Sequence, residues 1–538
     1  MSVKNMKEIM VRNVLLVLFS GLSLHIHAQR HNVLFIAVDD LKPWLGCYDH
    51  PVVKTPNIDR LAEMGTVFRR NYCQVALCGP TRMSIMTGLR PDTTQVYNMG
   101  GELWHIDTAR KRAPQLWTIP EYFKANGYIT MGFGKVMDSR NTDKGQDSRS
   151  WSGPKGVRWE WDTSLYPVKP AGGGYQDPAT RRILGKAMAD MKRLGIDTKP
   201  DRTAFLSTVE GARPVCEAMD LPDEAYAEGN VMAAPAIEAI KQFGENRKPF
   251  FLAVGFYKPH LPFVAPKKYW DLYSPEDFRL AFPDYPEGGS KYAETPYNEG
   301  RGFHPVPGKG PIPEELQRHM MHGYAACVSY VDAQVGKLLQ ALEESRLIDD
   351  TVICLWGDHG FHLGDKQVWG KHTNFEEATR APLIIASPSI RGNRVEDEAL
   401  TELVDVFPTL CELVGLEPPA GLDGESLVDL MQGRRPEENN AAVSQYLRKI
   451  DDEGLVMGWS VRTRRFRYVE WRRTTVENLH YTHSGEVIGR ELYDYQSDPQ
   501  ETRNLATSLK HVDMCADMIR EFDQVLPNLP DRKSCVIR

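Results

Sequence analysis

The sequence predicts an α/β protein with a large, mainly parallel sheet flanked by helices. Three observations carry this. Uninterrupted apolar runs of strand length recur at Asn32–Val38, Phe250–Phe256 and Thr351–Trp356, which suits strands buried on both faces. Helical periodicity fills the stretches between them, the longest from Glu314 to Leu347. Each run ends in ionisable residues, at the edge where open α/β sheets place their sites.

The chain starts with Lys4, Lys7 and Arg12 ahead of an apolar run from Val14 to Leu24, then Ala28. Residues 1–28 read as a secretory signal peptide, which predicts export to a bacterial periplasm or beyond the cell. The run is short for a bilayer span, and an uncleaved anchor is the alternative. Asn32–Val38 ends in Asp39-Asp40. Adjacent carboxylates repel, so either a cation lies between them or one caps a helix while the other is solvated. Thr55-Pro56 opens a helix.

Leu77-Cys78-Gly79-Pro80-Thr81-Arg82 follows. Pro80 biases Gly79 away from helix, Thr81 is placed as the cap of a helix over Met83–Met86, and Gly88 stops it. Cys78 is then either an inert core thiol or a group in an anion-friendly turn beside the Arg82 guanidinium. Thr118 starts a further helix with a Gly127 stop, and strand Tyr128–Phe133 delivers Lys135, an anion clamp or a solvated lysine. Residues 139–235 show little periodicity; Trp159, Trp161 and Tyr166 cluster there, Gly172-Gly173-Gly174 forms a joint, and a helix runs over Ala233–Phe243. After Phe256 come Lys258 and His260 around Pro259, two donors in a rigid turn and candidates for general acid. Residues 264–313 read as a long loop over the site. Thr351–Trp356 ends in Asp358-His359-Gly360, followed by Gly370-Lys371-His372 and Asn374. Pro382–Ala386 is a fourth strand. The polar stretch Gln432–Asn440 holds the domain boundary, and beyond it Ser460–Thr463 and Arg467–Trp471 alternate as strands before a helix over Val512–Val525.

Across 538 residues the chain carries 41% hydrophobic and 25% charged residues and a net charge of -7, which excludes nucleic-acid binding by bulk charge. Nine cysteines without CxxC spacing exclude a dense disulfide scaffold and a zinc ribbon. An odd count in an exported protein flags one special thiol, with Cys78 the candidate.

Cys78-x-Pro80-Thr81-Arg82-x4-Thr87-Gly88 resembles the type I sulfatase signature. Arg90-Pro91-Asp92-Thr93-Thr94 and the segment Phe250–Phe263 are similar to its iduronate 2-sulfatase branch, and Asp358-His359-Gly360 with Gly370-Lys371 looks like the second metal-and-sulfate motif of the alkaline-phosphatase superfamily. The resemblance covers nearly the whole mature chain and is weakest between residues 140 and 231. It implies an alkaline-phosphatase-like sandwich over residues 29–435 and a smaller C-terminal antiparallel sheet subdomain over 436–538. It implies that a maturation enzyme oxidises Cys78 to formylglycine. Asp39, Asp40, residue 78, Asp358 and His359 become ligands of calcium, with magnesium also compatible. Arg82, Lys135 and Lys371 would neutralise sulfate oxygens, His260 or Lys371 would protonate the departing alcohol, and Lys258, Asp138, His372 and Asn374 would lie against substrate. The implied activity is hydrolysis of sulfate esters on glycosaminoglycans or related polysaccharides, with no nucleic-acid partner and no membrane span after signal removal. A phosphomonoesterase or phosphonate hydrolase of the same superfamily and a catalytically silent sugar-binding relative are the alternatives. One departure is plain: Asp138 stands three residues after Lys135, where the branch has histidine.

Overall fold

The computed structural model describes residues 30–153, 174–434 and 441–530. The signal segment, the cluster of Trp159, Trp161 and Tyr166, Gly172 and Gly173, and the junction at 435/436 lie outside the described residues. Strand β1, Asn32–Val38, is buried at every position, as its uninterrupted apolar run requires. It is an interior strand of a seven-stranded sheet with β2 (Thr66–Phe68), β3 (Ile129–Gly134), β4 (Phe250–Phe256), β5 (Thr351–Gly357), β6 (Leu383–Ala386) and β7 (Arg394–Glu396). The order is β7-β2-β6-β5-β1-β4-β3. β1 runs parallel to both β4 and β5, and β3 parallel to β4. The fourth predicted strand, β6, pairs antiparallel with β2 and β5.

Register decides where the site lies. Val38 faces Phe256 on one side and Gly357 on the other, so Asp39, Tyr257 and Asp358 leave the sheet at one level. Gly134 pairs with Gly255 and turns the chain at φ +74°, where a Cβ would strike the Gly255 carbonyl, so only glycine lets Lys135 enter there.

Apolar layers cover both faces. On one, helix α7 (Glu314–Glu344) lies along the sheet with α1 (Pro56–Met64) and α6 (Ala234–Asn246), burying Tyr324, Val328, Val331, Val335 and Leu338. On the other lie α2 (Cys78–Thr87), α3 (Ile119–Ala125) and α8 (Val406–Leu413). Helix α2 begins earlier than expected. Leu77 is its N-cap and Thr81 donates its N–H to the Leu77 carbonyl, so Cys78, Gly79 and Pro80 form the first turn, where proline needs no N–H partner. Gly88 ends it in the left-handed region at φ 65°, as its position predicts.

The weakly periodic stretch holds two helices that periodicity missed, α4 (Pro178–Arg193) and α5 (Lys199–Ser207). A local signal was present: the Asp177 side chain caps the N–H groups of Ala179 and Thr180, with Pro178 in the first turn. The C-terminal region forms a four-stranded antiparallel meander of β8 (Ala442–Ile450), β9 (Gly454–Arg462), β10 (Phe466–Glu477) and β11 (His480–Asp494). Helix α9, Val512–Val525, packs Phe522 edge-on to Tyr468 of β10. Asp92 ties this sheet to the loop after α2, accepting hydrogen bonds from Tyr97, Gln445 and Trp459. No described helix is long and apolar enough to cross a membrane.

Candidate active site

Two chain segments bring three acids to the C-terminal edge of β1 and β5. Asp39, Asp40 and Asp358 are all fully buried. Asp40 sits at φ 60°, a costly conformation for a residue with a side chain. Tyr324 of α7 fixes it there, donating to the Asp40 carbonyl at 2.8 Å while accepting from the Lys42 N–H at 2.9 Å. Asp39 is saturated: Lys135 Nζ reaches its two oxygens at 2.9 and 2.8 Å and Arg82 Nη2 reaches Oδ1 at 3.0 Å. Burial alone would push its carboxyl up, but Lys135 and Arg82 hold it well below the usual range. Asp40 differs. Lys371 Nζ bonds its Oδ1 at 2.6 Å, whereas Oδ2 is buried with no hydrogen-bond partner among the described residues. Burial, with Asp39 alongside, lifts its carboxyl to about 7.

Cys78 opens α2 against this group. Its Sγ lies 3.3 Å from His359 Nε2 and 4.0 Å from Asp40 Oδ1. Burial and the Asp39 carboxylate push the thiol well above its ordinary range despite Lys135 and Lys371, so it is not a thiolate nucleophile. All eight described cysteines are unpaired, so the parity of the count says nothing; the setting distinguishes Cys78. His359 donates from Nδ1 to the Gly360 carbonyl at 2.9 Å, leaving the Nε2 lone pair facing the acids, 3.6 Å from Asp40 Oδ1 and from Asp358 Oδ1. Donor atoms of Asp39, Asp40, Cys78 and His260 lie within 4.8 Å of one another, as do those of Cys78, Asp358 and His359. Hard carboxylate oxygens that converge, one of them orphaned, fit a divalent cation of the calcium or magnesium kind.

The remaining expected residues divide. His260 is in place: its Nε2 is 3.8 Å from Asp40 Oδ2, its Nδ1 bonds the Leu261 carbonyl, and its ring is 31% exposed. Burial and Lys371 lower its pKa to about 4. The stretch read as a loop over 264–313 begins with a strand at Phe263–Pro266 and a helix at Lys267–Trp270; from the largely irregular part after them Glu299, which no motif marked, reaches Lys371 at 3.2 Å. His372 is buried beneath Tyr297, bonding Tyr446 of β8 at 2.5 Å with Glu299 3.6 Å from its Nε2.

Arg82, expected against sulfate, bonds neighbouring carboxylates and carbonyls. Nε bonds Asp358 at 3.1 Å, Nη2 bonds Asp39, and Nη1 bonds the carbonyls of Lys135 and Val136 at 2.5 and 3.0 Å. All three nitrogens of the fully buried guanidinium are engaged, and two of them hold the acids. Lys258 likewise is a strut within its own turn, bonding the carbonyls of His260 and Pro262 at 2.9 and 2.6 Å. Asn374 points at the C-terminal sheet, bonding the Gly458 carbonyl at 3.1 Å. Asp138 is held by Arg140 in a two-pronged pair at 2.8 and 2.6 Å, with Lys135 at 3.7 Å; burial opposes its ionisation, but these cations keep it a carboxylate. Arg82 and Asp138 thus stay at the site as partners of Asp39, Asp358 and Lys135, while Lys258 and Asn374 bond carbonyls of their own turn and of the C-terminal sheet.

A large mixed sheet with buried acids at its edge and a second antiparallel sheet behind them defines an alkaline-phosphatase-like fold. The sequence matches the Sulfatase family profile over residues 31–416, so the chain belongs to the sulfatase family, the sulfuric ester hydrolases. A second profile, N-sulphoglucosamine sulphohydrolase, C-terminal, matches residues 364–527. Human iduronate 2-sulfatase is 33% identical over 88% of this chain and 90% of its own length. A sulfatase of Formosa agariphila is 32% identical over 90% and 84%. Among solved structures, the phosphonate monoester hydrolase of Agrobacterium radiobacter superposes with a TM-score of 0.67 at 23% identity, over 93% of this chain and 96% of that one, a likeness of fold alone. The family generally uses a formylglycine and a divalent metal.

Proposed function

We propose that this chain removes sulfate from acidic sugars of the glycosaminoglycan type, with 2-O-sulfated uronate units foremost. The observation that carries the reading is Cys78 at the start of α2, 3.3 Å from His359 and 4.0 Å from Asp40, with Lys135 and Lys371 on the flanking carboxylates. The site fits formylglycine at residue 78 and a calcium ion, or magnesium, held by Asp39, Asp40, Asp358 and residue 78 with His359 alongside. When present, these groups supply an oxygen nucleophile and withdraw charge from the sulfate.

The chain's own residues do the rest. Lys135 and Lys371 are the nearest ammonium groups to an anion entering beside residue 78 and offset charge on its oxygens. His260, with one ring edge open, is placed to pass a proton to the departing alcohol once a bound anion offsets the Lys371 charge that joins burial in lowering its pKa. Arg82 keeps Asp39 and Asp358 apart and oriented; His372 and Glu299 orient Lys371. Asp138, Lys258 and Asn374 act through structure. Residues 1–28 direct export to the periplasm or medium, a maturation enzyme converts Cys78, and residues 29–435 and 436–538 form catalytic and C-terminal units.

The identity to human iduronate 2-sulfatase favours sulfate over phosphorus esters, since the phosphonate hydrolase likeness supports fold only. The test compares sulfate and phosphate release from matched aryl esters, with and without chelator. Sulfate release that exceeds phosphate release and vanishes in Cys78→Ala supports the reading. Preferred phosphate release, or no release from converted protein, overturns it.

A further inference from the structure

His260 opens onto a cavity of about 630 Å³, within the range of pockets that hold small molecules. Its floor is apolar: Leu184 and Met191 of α4, Leu206 of α5, Tyr175, and Phe303. One strong cation stands in it. The half-buried guanidinium of Arg213 lies 4.2 Å over the Phe303 ring, and among the described residues it has no carboxylate partner and no hydrogen bond from its side chain. Burial lowers its pKa, the mark of a charge without a counter-ion. The mouth adds Lys192 and Arg202, both exposed, the latter facing Asp197 only at 4.0 Å. Leaving a guanidinium half-desolvated and unpaired is costly unless an anion arrives to complete it. Most of the wall comes from α4, α5 and the residues around them, the part of the chain where the family motifs are sparsest.

We propose that this cavity is the subsite for the sugar unit on the departing-alcohol side, and that Arg213 pairs there with a second anionic group on that sugar, a carboxylate or a further sulfate. The assignment rests on the sulfatase reading, because His260 lines this cavity and also stands 3.8 Å from Asp40 of the site. An aromatic ring beside a guanidinium offers apolar surface to a sugar and N–H donors to an anion on it. Selectivity among sulfated sugars then lies in the α4–α5 region, outside the motif-bearing edge of the sheet.

The test measures kcat/KM for four esters on converted protein: a 2-O-sulfated uronate disaccharide, its carboxyl methyl ester, a 6-O-sulfated glucosamine, and the same glucosamine carrying N-sulfate. Arg213→Ala should lower the acid-to-methyl-ester ratio, or the disulfated-to-monosulfated ratio, about tenfold through KM, the size of one charge-assisted hydrogen bond. The ratio that falls identifies the anion as carboxylate or second sulfate, and Arg213→Lys should recover part of it. Both ratios unchanged would overturn the proposal. Should the variant fail to fold, wild-type calorimetry decides with two pairs, the unsulfated disaccharide against its methyl ester and N-sulfated glucosamine against glucosamine: about tenfold tighter binding of the anionic member of either pair supports the subsite, equal binding within both overturns it. Absence of sulfate release from all four esters counts against the sulfatase reading instead, and the calorimetry still decides the subsite.

Discussion

Replacing Arg82 separates a positioning guanidinium from a sulfate clamp. Arg82→Met removes two bonds to carboxylates, at 3.0 Å to Asp39 and 3.1 Å to Asp358, and two to carbonyls. Asp39 keeps Lys135, whereas among the described residues Asp358 keeps the Asp40 N–H at 3.0 Å and His359 Nε2 at 3.6 Å. Breaking a buried pair by removing one partner costs about 3–5 kcal/mol, and the surviving lysine places this case near about 3. At about 2.1 cal/mol/K per residue, an unfolding unit of roughly 400 residues loses about 1.2 °C per kcal/mol, so Tm should fall by about 3–4 °C. A divalent ion on the same acids takes over part of the neutralisation, so the gap should narrow as calcium is added. Arg82→Lys should sit between, since one ammonium cannot span both carboxylates. Differential scanning fluorimetry across a calcium titration, paired with steady-state kinetics, reads this out. An unchanged Tm with a raised KM would refute the positioning role and restore the sulfate clamp.

Chelation should abolish sulfate release and lower Tm, with calcium restoring both; at a free ion concentration of 100 Kd the stabilisation is about 2.7 kcal/mol. Retained activity in excess chelator would exclude the metal. Asp332 tests a fold element. It is buried by α7 against α1, accepts the N–H groups of Asn57 and Ile58 at 3.0 and 2.7 Å, and burial raises its pKa to about 6 despite those bonds. A carboxyl raised on folding penalises the fold when ionised: the penalty is absent below the unfolded pKa near 4 and complete above about 6. Asp332→Asn should therefore gain on wild type between pH 4 and pH 7, by at most about 3 kcal/mol, in melts across that range. A pH-independent difference would contradict the burial argument. Glu299→Gln should lower kcat with little change in Tm by releasing Lys371 and His372; an effect on stability alone would make it structural.

The sheet was legible because β1, β4 and β5 are buried on both faces, which forces continuous apolar runs with few other solutions. The acids were legible for the same reason: Asp39-Asp40 and Asp358-His359 follow those runs directly, and parallel register sets them level. Direction was not. Nothing in Cys78-x-Pro80-Thr81-Arg82 tells whether the guanidinium faces outward or back under the strand ends, and Lys258 and Asn374 fail for the same reason. Glu299 lies in a long loop without periodicity, and it reaches Lys371 only through the tertiary fold. Helix α4 carried a readable Asp177-Pro178 start, but the polar stretch around it obscured the apolar stripe of Leu184, Ala187 and Met191.

Cys78 is central, and its chemical state is measurable beside its activity. Mass spectrometry of the peptide spanning residue 78, in protein made with a maturation enzyme, should find an aldehyde in place of the thiol. Sulfate release from a 2-O-sulfated uronate disaccharide should rise in proportion to the aldehyde fraction and be absent in Cys78→Ala. Full activity from protein that carries only the intact thiol would contradict it.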